Sequence, residues 1–285
     1  MNRTDAFHGQ PAINLSTPAG DRATVLLHGA HVVSWVPADG HERLYLSEHS
    51  GYGEGNAVRG GVPVIFPQFN QRGPDFTLPK HGIVRTRRWK LHEEEEGSGT
   101  SDAASVALRL ADDDALRALW PHRFSLTLIV SLGSHRLDLA LRVGNPGPSA
   151  FAFTAALHTY LRVSDIARAT LRGLQGVRYL DTVSNVGSVG SDRELVFERE
   201  TDRIYFEVPG PLSLLSPDAA ALEVAMEGFR DAVVWNPWQA LCASLPDMPD
   251  DDYRRMLCIE AAAIDKPVRL DAGQAWLGRQ TLTVR

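Results

Sequence analysis

Cysteine is scarce: the 285-residue chain has two, Cys242 and Cys258. That excludes a disulfide framework, and their separation matches no metal-ligand spacing, so a pair of buried thiols in a reducing compartment is the expected state. Long apolar runs are missing as well. No stretch approaches the ~18–20 apolar residues needed to cross a bilayer, and the opening MNRTDAFHGQPAINLSTP holds no apolar core of the signal-peptide kind. A cytoplasmic protein without membrane contact is expected. The formal net charge is -6, whereas nucleic-acid binding draws much of its affinity from a broad basic surface. No nucleic-acid partner is expected.

Several catalytic signatures are also missing. The chain contains no G-x-S-x-G elbow, no H-E-x-x-H and no G-x-x-x-x-G-K-[ST]. GYGEGN lacks the third glycine in register and does not open a helix, so dinucleotide binding has no support. His28 and His31, read as strand residues at odd spacing, face opposite ways and do not share a ligand. The expectation is a protein with no metal and no cofactor.

What is present is period-two patterning. In FSLTLIVSL, residues 124–132, the alternate positions Phe124, Leu126, Leu128, Val130 and Leu132 are apolar, and HRLDLALRV repeats the pattern through Leu137, Leu139, Leu141 and Val143 against Asp138 and Arg142. GSHR between them has hairpin size, and NPGPS at 145–149 is loop punctuation. RATVLLHGAHVVSWV and AWLGRQTLTVR read as further strands. Helical spacing is scarce; DDDALRALWP, with acids at its start and Pro121 at its end, is the best short helix. The acidic runs Glu93–Glu96 and Asp112–Asp114 read as solvated loops or helix starts, and EEEEGSGTSDAAS as a surface loop. Many short strands argue for an all-β, mainly antiparallel sandwich or barrel, with residues 1–285 as one domain.

Three features stand out chemically. Between Arg59 and Lys90 the chain carries seven Lys/Arg and one acid, Asp75. RGGVP there reads as flexible backbone beside Arg59, and KHGIVR gathers Lys80, His81 and Arg85, donors suited to phosphate or sulfate oxygens. Second, FAFTAALHTYLRV (151–163), read as a strand, points Thr154, His158, Tyr160 and Arg162 to one side; His158 is either a hydrogen-bonded structural residue or part of a functional face. Third, Glu260 is the lone charge in MLCIEAAAI. It either pairs with a cation or floors a pocket, where desolvation raises its pKa and makes it a proton acceptor.

The ordered segments RGGVPVIFPQF, LPKHGIVRTRRW, ALHTYLRV, TDRIYF, VVWNPW and CIEAAAI, spanning residues 59–264, resemble the D-hexose-6-phosphate mutarotases, or glucose-6-phosphate 1-epimerases, of the aldose 1-epimerase-like group. The resemblance implies a galactose-mutarotase-like antiparallel β-supersandwich with few short helices and a sugar site on its concave face. It assigns His158 as general acid, Glu260 as general base, Arg59 and Arg85 as phosphate-side contacts with His81 nearby, and Asp202 as a holder of sugar hydroxyls. Lys80 and QFNQRG depart from the commoner family forms. The implied partner is a small-molecule hexose phosphate, and acid/base ring opening requires no cofactor. A mutarotase of unphosphorylated aldoses would use the same His and Glu without needing Arg59 and Arg85. A noncatalytic sugar-phosphate binder would need the cleft but no free base.

Overall fold

The alternating segments form the predicted hairpin: Ser125–Gly133 pairs antiparallel with Arg136–Gly144, turning at residues 134–135. Leu126, Leu128, Val130, Leu137, Leu139 and Leu141 are buried on one face, as half-buried strands require. The computed structural model describes residues 2–53, 55–71, 77–92, 103–217 and 219–285. The run Glu93–Glu96 and most of its surrounding segment lie outside the described residues, as do Arg72 and Asp75.

Among the described residues the strands form three sheets, of four, eight and nine strands, and every paired strand runs antiparallel to its neighbours. The eight-stranded sheet is centred on Met256–Leu270, flanked by Asp231–Asn236 on one side and by Phe151–Leu157 with Tyr160–Arg162 on the other. The nine-stranded sheet contains Ala275–Val284, Arg136–Gly144 and Ser125–Gly133. Leu157, Leu161, Leu257, Ile259 and Ala261 from the first sheet share one core with Leu128, Leu139, Leu141 and Leu282 from the second. Burial of this common layer is the main favourable contribution to the sandwich. A polar link crosses it: Gln280 accepts from the Thr159 hydroxyl and donates to the Ile259 carbonyl. That link fastens the two sheets behind His158 and Glu260.

Helix is as scarce as the sequence suggests. DDDALRALWP yields Asp114–Leu119, capped by Asp113, whose carboxylate accepts from the Leu116 N–H. Asp112 is no solvated loop acid: it pairs with Arg117 and accepts from the Phe124 N–H at 3.0 Å. No helix among the described residues is long and apolar enough to cross a membrane.

Two sequence readings change. RATVLLHGAHVVSWV is not one strand but a hairpin of Arg22–Leu26 and Val32–Val36. His28 and His31 occupy its turn, where each Nε2–H donates to a carbonyl at 2.7 Å, His28 to Asn56 and His31 to Gly60. RGGVP is not flexible either. Its backbone is clamped on one side by Tyr45 and Val32, through Gly61 N–H to Tyr45 O and Val62 N–H to Val32 O, and on the other by Tyr160 and His158, whose N–H groups donate to Gly61 O and Pro63 O.

The glycines permit this close approach. At Gly61, with φ of 58°, a Cβ would collide with the Val32 carbonyl and stand 2.8 Å from His31 Nε2. Gly61→Ala should therefore cost about 2–5 kcal/mol of stability, adding left-handed backbone strain to overpacking. Denaturant unfolding checks this; an unchanged midpoint would show that the clamp yields.

Candidate active site

Cross-strand register assembles the site. Leu157 lies opposite Ala261 and Tyr160 opposite Cys258, so the same register sets His158 opposite Glu260. On the far side, Val233 pairs with Glu260 and Trp235 with Cys258, and these pair in turn with Ile204 and Asp202. Two adjacent rows thus run across four strands on one face: Ile204, Val233, Glu260, His158 and Asp202, Trp235, Cys258, Tyr160. Below them Ile65, Phe69, Ala156, Ala262 and Ile264 form a small apolar floor, separate from the core between the sheets.

His158 Nε2 stands 3.3 Å from Glu260 Oε1, and Glu260 is 1% exposed. Among the described residues, Glu260 Oε2 and His158 Nδ1 have no hydrogen-bond partner. Unpartnered buried polar atoms are costly and call for an explanation. Burial pushes the Glu260 carboxyl well above the usual carboxylate range, and the Asp202 charge adds to the shift. Burial likewise pushes His158 well below the usual imidazole value, aided by His81, Arg85 and Arg59. The low-dielectric floor thus disfavours charge on both partners.

The His158 ring stacks on Tyr160, with centroids 4.8 Å apart and planes 11° from parallel, and meets His81 edge-on at 5.3 Å. Trp235 stands edge-on to both His158 and Tyr160. His81 takes a left-handed backbone, φ 65°, and its Nδ1 accepts from the Asn70 N–H at 3.3 Å. That leaves the proton on Nε2. Burial, then the Arg85 and Lys80 charges, lower its pKa to about 3, so His81 is neutral near pH 7.

The two arginines named from the sequence differ. Arg59 is anchored: Nε and Nη2 reach Asp247 Oδ2 at 3.1 and 3.0 Å, and Nη1 donates to the Tyr160 hydroxyl at 3.0 Å. Arg85 donates to the Lys80 carbonyl at 3.3 Å and has no carboxylate partner among the described residues. Burial and the Arg59 charge lower its pKa. The two guanidinium charges act on one another and on His158, and cationic donors of this kind favour an anion.

Of the residues singled out in the sequence, His158, Glu260, His81, Arg59 and Arg85 gather here. Asp202 occupies the neighbouring row, and Lys80 is exposed at the margin. Tyr160 faced the correct side in the sequence reading but carried no role there. Trp235 had only its place in VVWNPW, and Asp247 sits among other acids in PDMPDDD, where nothing distinguishes it.

Because the native pKa of Glu260 is raised, above the unfolded value of about 4.3 the unfolded chain sheds a proton that the native chain retains. Stability therefore falls as pH rises until the native carboxyl itself ionises. Glu260→Gln keeps the shape and removes this penalty. Its stability relative to the parent should grow as pH is raised from about 4 to about 8, measured by denaturant midpoints. A flat or shrinking difference would mean that native Glu260 is already ionised.

The aldose 1-epimerase family profile matches residues 11–283. A Cenchrus ciliaris protein named as a glucose-6-phosphate 1-epimerase is 35% identical over 270 residues, covering 92% of this chain and 80% of that one. An Escherichia coli K12 protein of the same name is 35% identical over 247 residues, covering 85% and 79%. A crystal structure of a Salmonella typhimurium protein named as a mutarotase superposes with a TM-score of 0.89 at 30% identity, covering 100% of this chain and 94% of that one. A galactose mutarotase related enzyme from Lactobacillus acidophilus, 14% identical with a TM-score of 0.74 and coverage of 100% and 97%, shares the fold. With profile, sequence and fold in agreement across nearly its whole length, the chain belongs to the aldose 1-epimerase family and is an epimerase of the galactose-mutarotase-like β-sandwich fold.

Proposed function

We propose that this epimerase interconverts the α and β anomers of a hexose 6-phosphate, D-glucose 6-phosphate first, by acid/base ring opening and reclosure. The contact between His158 and Glu260 carries the reading: a buried acid/base pair 3.3 Å apart, with unpartnered atoms and two close guanidiniums. The names of the Cenchrus ciliaris and Escherichia coli relatives support the choice of sugar.

In the proposed reaction Glu260 accepts the proton of the C1 hydroxyl while His158 donates one to the ring oxygen, and the C1–O5 bond breaks. Rotation about C1–C2 presents the other aldehyde face. Reclosure reverses both transfers and gives the opposite anomer. Carboxylate with imidazolium differs from carboxylic acid with imidazole only by one proton's position along the 3.3 Å contact. No exchange with solvent is needed to move between them. Burial favours the neutral form, whereas a bound phosphate dianion offsets the Arg59 and Arg85 charges that oppose the imidazolium. Phosphate recognition thus orients the sugar and eases the protonation that the acid requires. Arg59, fixed by Asp247 and Tyr160, gives a preset donor plane, and Arg85 and neutral His81 supply further donors. Asp202, opposite Trp235 in the neighbouring row, accepts from sugar hydroxyls.

The test is the approach of pure α-D-glucose 6-phosphate to anomeric equilibrium, followed by NMR. Glu260→Gln and His158→Asn should each lower kcat on the order of 10²-fold or more with the fold retained; near-parental turnover in either removes that residue from the mechanism. Arg85→Ala should weaken kcat/KM for the phosphosugar by roughly 2–3 kcal/mol while affecting glucose much less. Equal losses with both sugars would end the phosphate reading. Arg59→Ala is a less direct probe, because it also strands Asp247. Activity should survive exhaustive chelation, since proton transfer alone suffices; loss to EDTA that a divalent ion restores would overturn this point.

A further inference from the structure

The proposed chemistry leaves one group of the site unused. Cys258 lies two residues from Glu260 on the same face, opposite Tyr160, and is fully buried. Its thiol has no step in anomer exchange. Yet one ligand atom each from Cys258, His158 and Glu260 lies within 4.8 Å of the other two.

We propose that His158, Cys258 and Glu260 form a site for a thiophilic divalent cation, zinc above all, and that its occupancy shuts down the catalytic pair. Sulfur, nitrogen and oxygen donors of this kind suit zinc, whose ligands stand about 2.0–2.3 Å from the ion in a tetrahedron. Tetrahedral N and O ligands at those lengths are ~3.4 Å apart; His158 Nε2 and Glu260 Oε1 are 3.3 Å apart. The thiol, within 4.8 Å of both, has the remaining distance to close. The fourth position is left for water. Glu260 Oε2, buried without a partner among the described residues, offers a further lone pair.

The local field is divided. Glu260 and Asp202 place negative charge near Cys258, and Asp202 also acts on Glu260, which favours a cation there; against it stand Arg59, which acts on Cys258 and His158, Arg85 on His158 and Lys80 on Glu260. Burial holds the thiol protonated, and a bound dication reverses that preference by stabilising the thiolate. Ligation releases to solvent the thiol proton and the proton shared by the His158–Glu260 pair. It also occupies the atoms that sugar needs, so zinc and sugar compete. Magnesium, which demands oxygen ligands, is a poor occupant.

Cobalt(II), a spectroscopic substitute for zinc, reads the site without any sugar present. Titration of the protein with cobalt should give a thiolate-to-cobalt charge-transfer band saturating at one ion per chain, which zinc displaces and magnesium does not. Cys258→Ser and Cys258→Ala should abolish the band. Cys242→Ser should keep it, because that thiol lies elsewhere and donates to Pro249 O. Glu260→Gln, which retains the thiol, should weaken cobalt binding. Zinc should inhibit anomer exchange, reversed by EDTA and opposed by excess substrate. The half-inhibiting zinc concentration, each variant measured against its own zinc-free rate, should rise at least about tenfold in Cys258→Ser, since losing a ligand weakens a site no less than losing its supporting group.

A band that is absent, or that survives both Cys258 replacements, would overturn the site. So would equal zinc sensitivity of the parent and Cys258→Ser, or equal inhibition by magnesium. Circular dichroism of each variant separates loss of ligand from loss of fold. The cobalt result stands whichever sugar the enzyme turns over, so failure here is distinguishable from failure of the hexose-phosphate reading.

Discussion

The pairing of Phe151–Leu157 and Tyr160–Arg162 with Met256–Leu270 is the constraint on which the rest depends. Strand side chains alternate, so a slip of one residue would turn Glu260 into the layer between the sheets and bring Ala261 to the cleft. Such a slip is penalised from both faces. It would bury a carboxylate beside Leu157 and Leu161, and it would carry the Ile259 carbonyl away from Gln280. The apolar back of the sheet therefore fixes the chemistry on its front, and the fold and the site share one specification.

Legibility in the sequence followed contrast. FSLTLIVSL and HRLDLALRV were readable because their outer faces meet solvent and alternate visibly. Glu260 was readable as a lone charge in an apolar run. His158 stayed ambiguous on its own strand because Ala155, Ala156 and Leu157 are all buried, so both faces look alike; the resemblance to a known family supplied its role. Long-range contacts were not visible. The glycines of RGGVP resembled flexible loop because the carbonyls of Tyr45 and Val32, which press on them, come from distant segments. The hairpin at His28–His31 was missed because the apolar run continues on both sides of Gly29. Asp247 was hidden among like charges, although it fixes the orientation of Arg59.

The same burial that shifts the proton affinities of the site makes it intolerant. A dry floor raises the proton affinity of Glu260 and lowers that of His158, and each unpartnered atom there is a cost the surrounding sandwich offsets. The basic side is organised differently. Arg59 is held by Asp247 and Tyr160, whereas Arg85 has no carboxylate partner among the described residues, so one cation is a fixed part of the wall and the other is available. Tyr160 joins the two halves, hydrogen-bonded to Arg59 and stacked on His158.

The strand at the centre of the eight-stranded sheet is made after both of its neighbours. Met256–Leu270 pairs with residues some hundred positions earlier and supplies Glu260 to groups that begin at Arg59. Until it docks, Phe151–Leu157 and Asp231–Asn236 each lack a neighbour, and their edges stay open to pairing with other chains. A ribosome-bound fragment ending before residue 256 would carry most of the apolar core and both arginines, but not Glu260. Sheets closed by such distant pairings form slowly, because loop entropy is spent before contacts compensate it. Newly made chains therefore pass through an interval of exposed strand edges, in which shielding by chaperones matters more than it does for the finished enzyme.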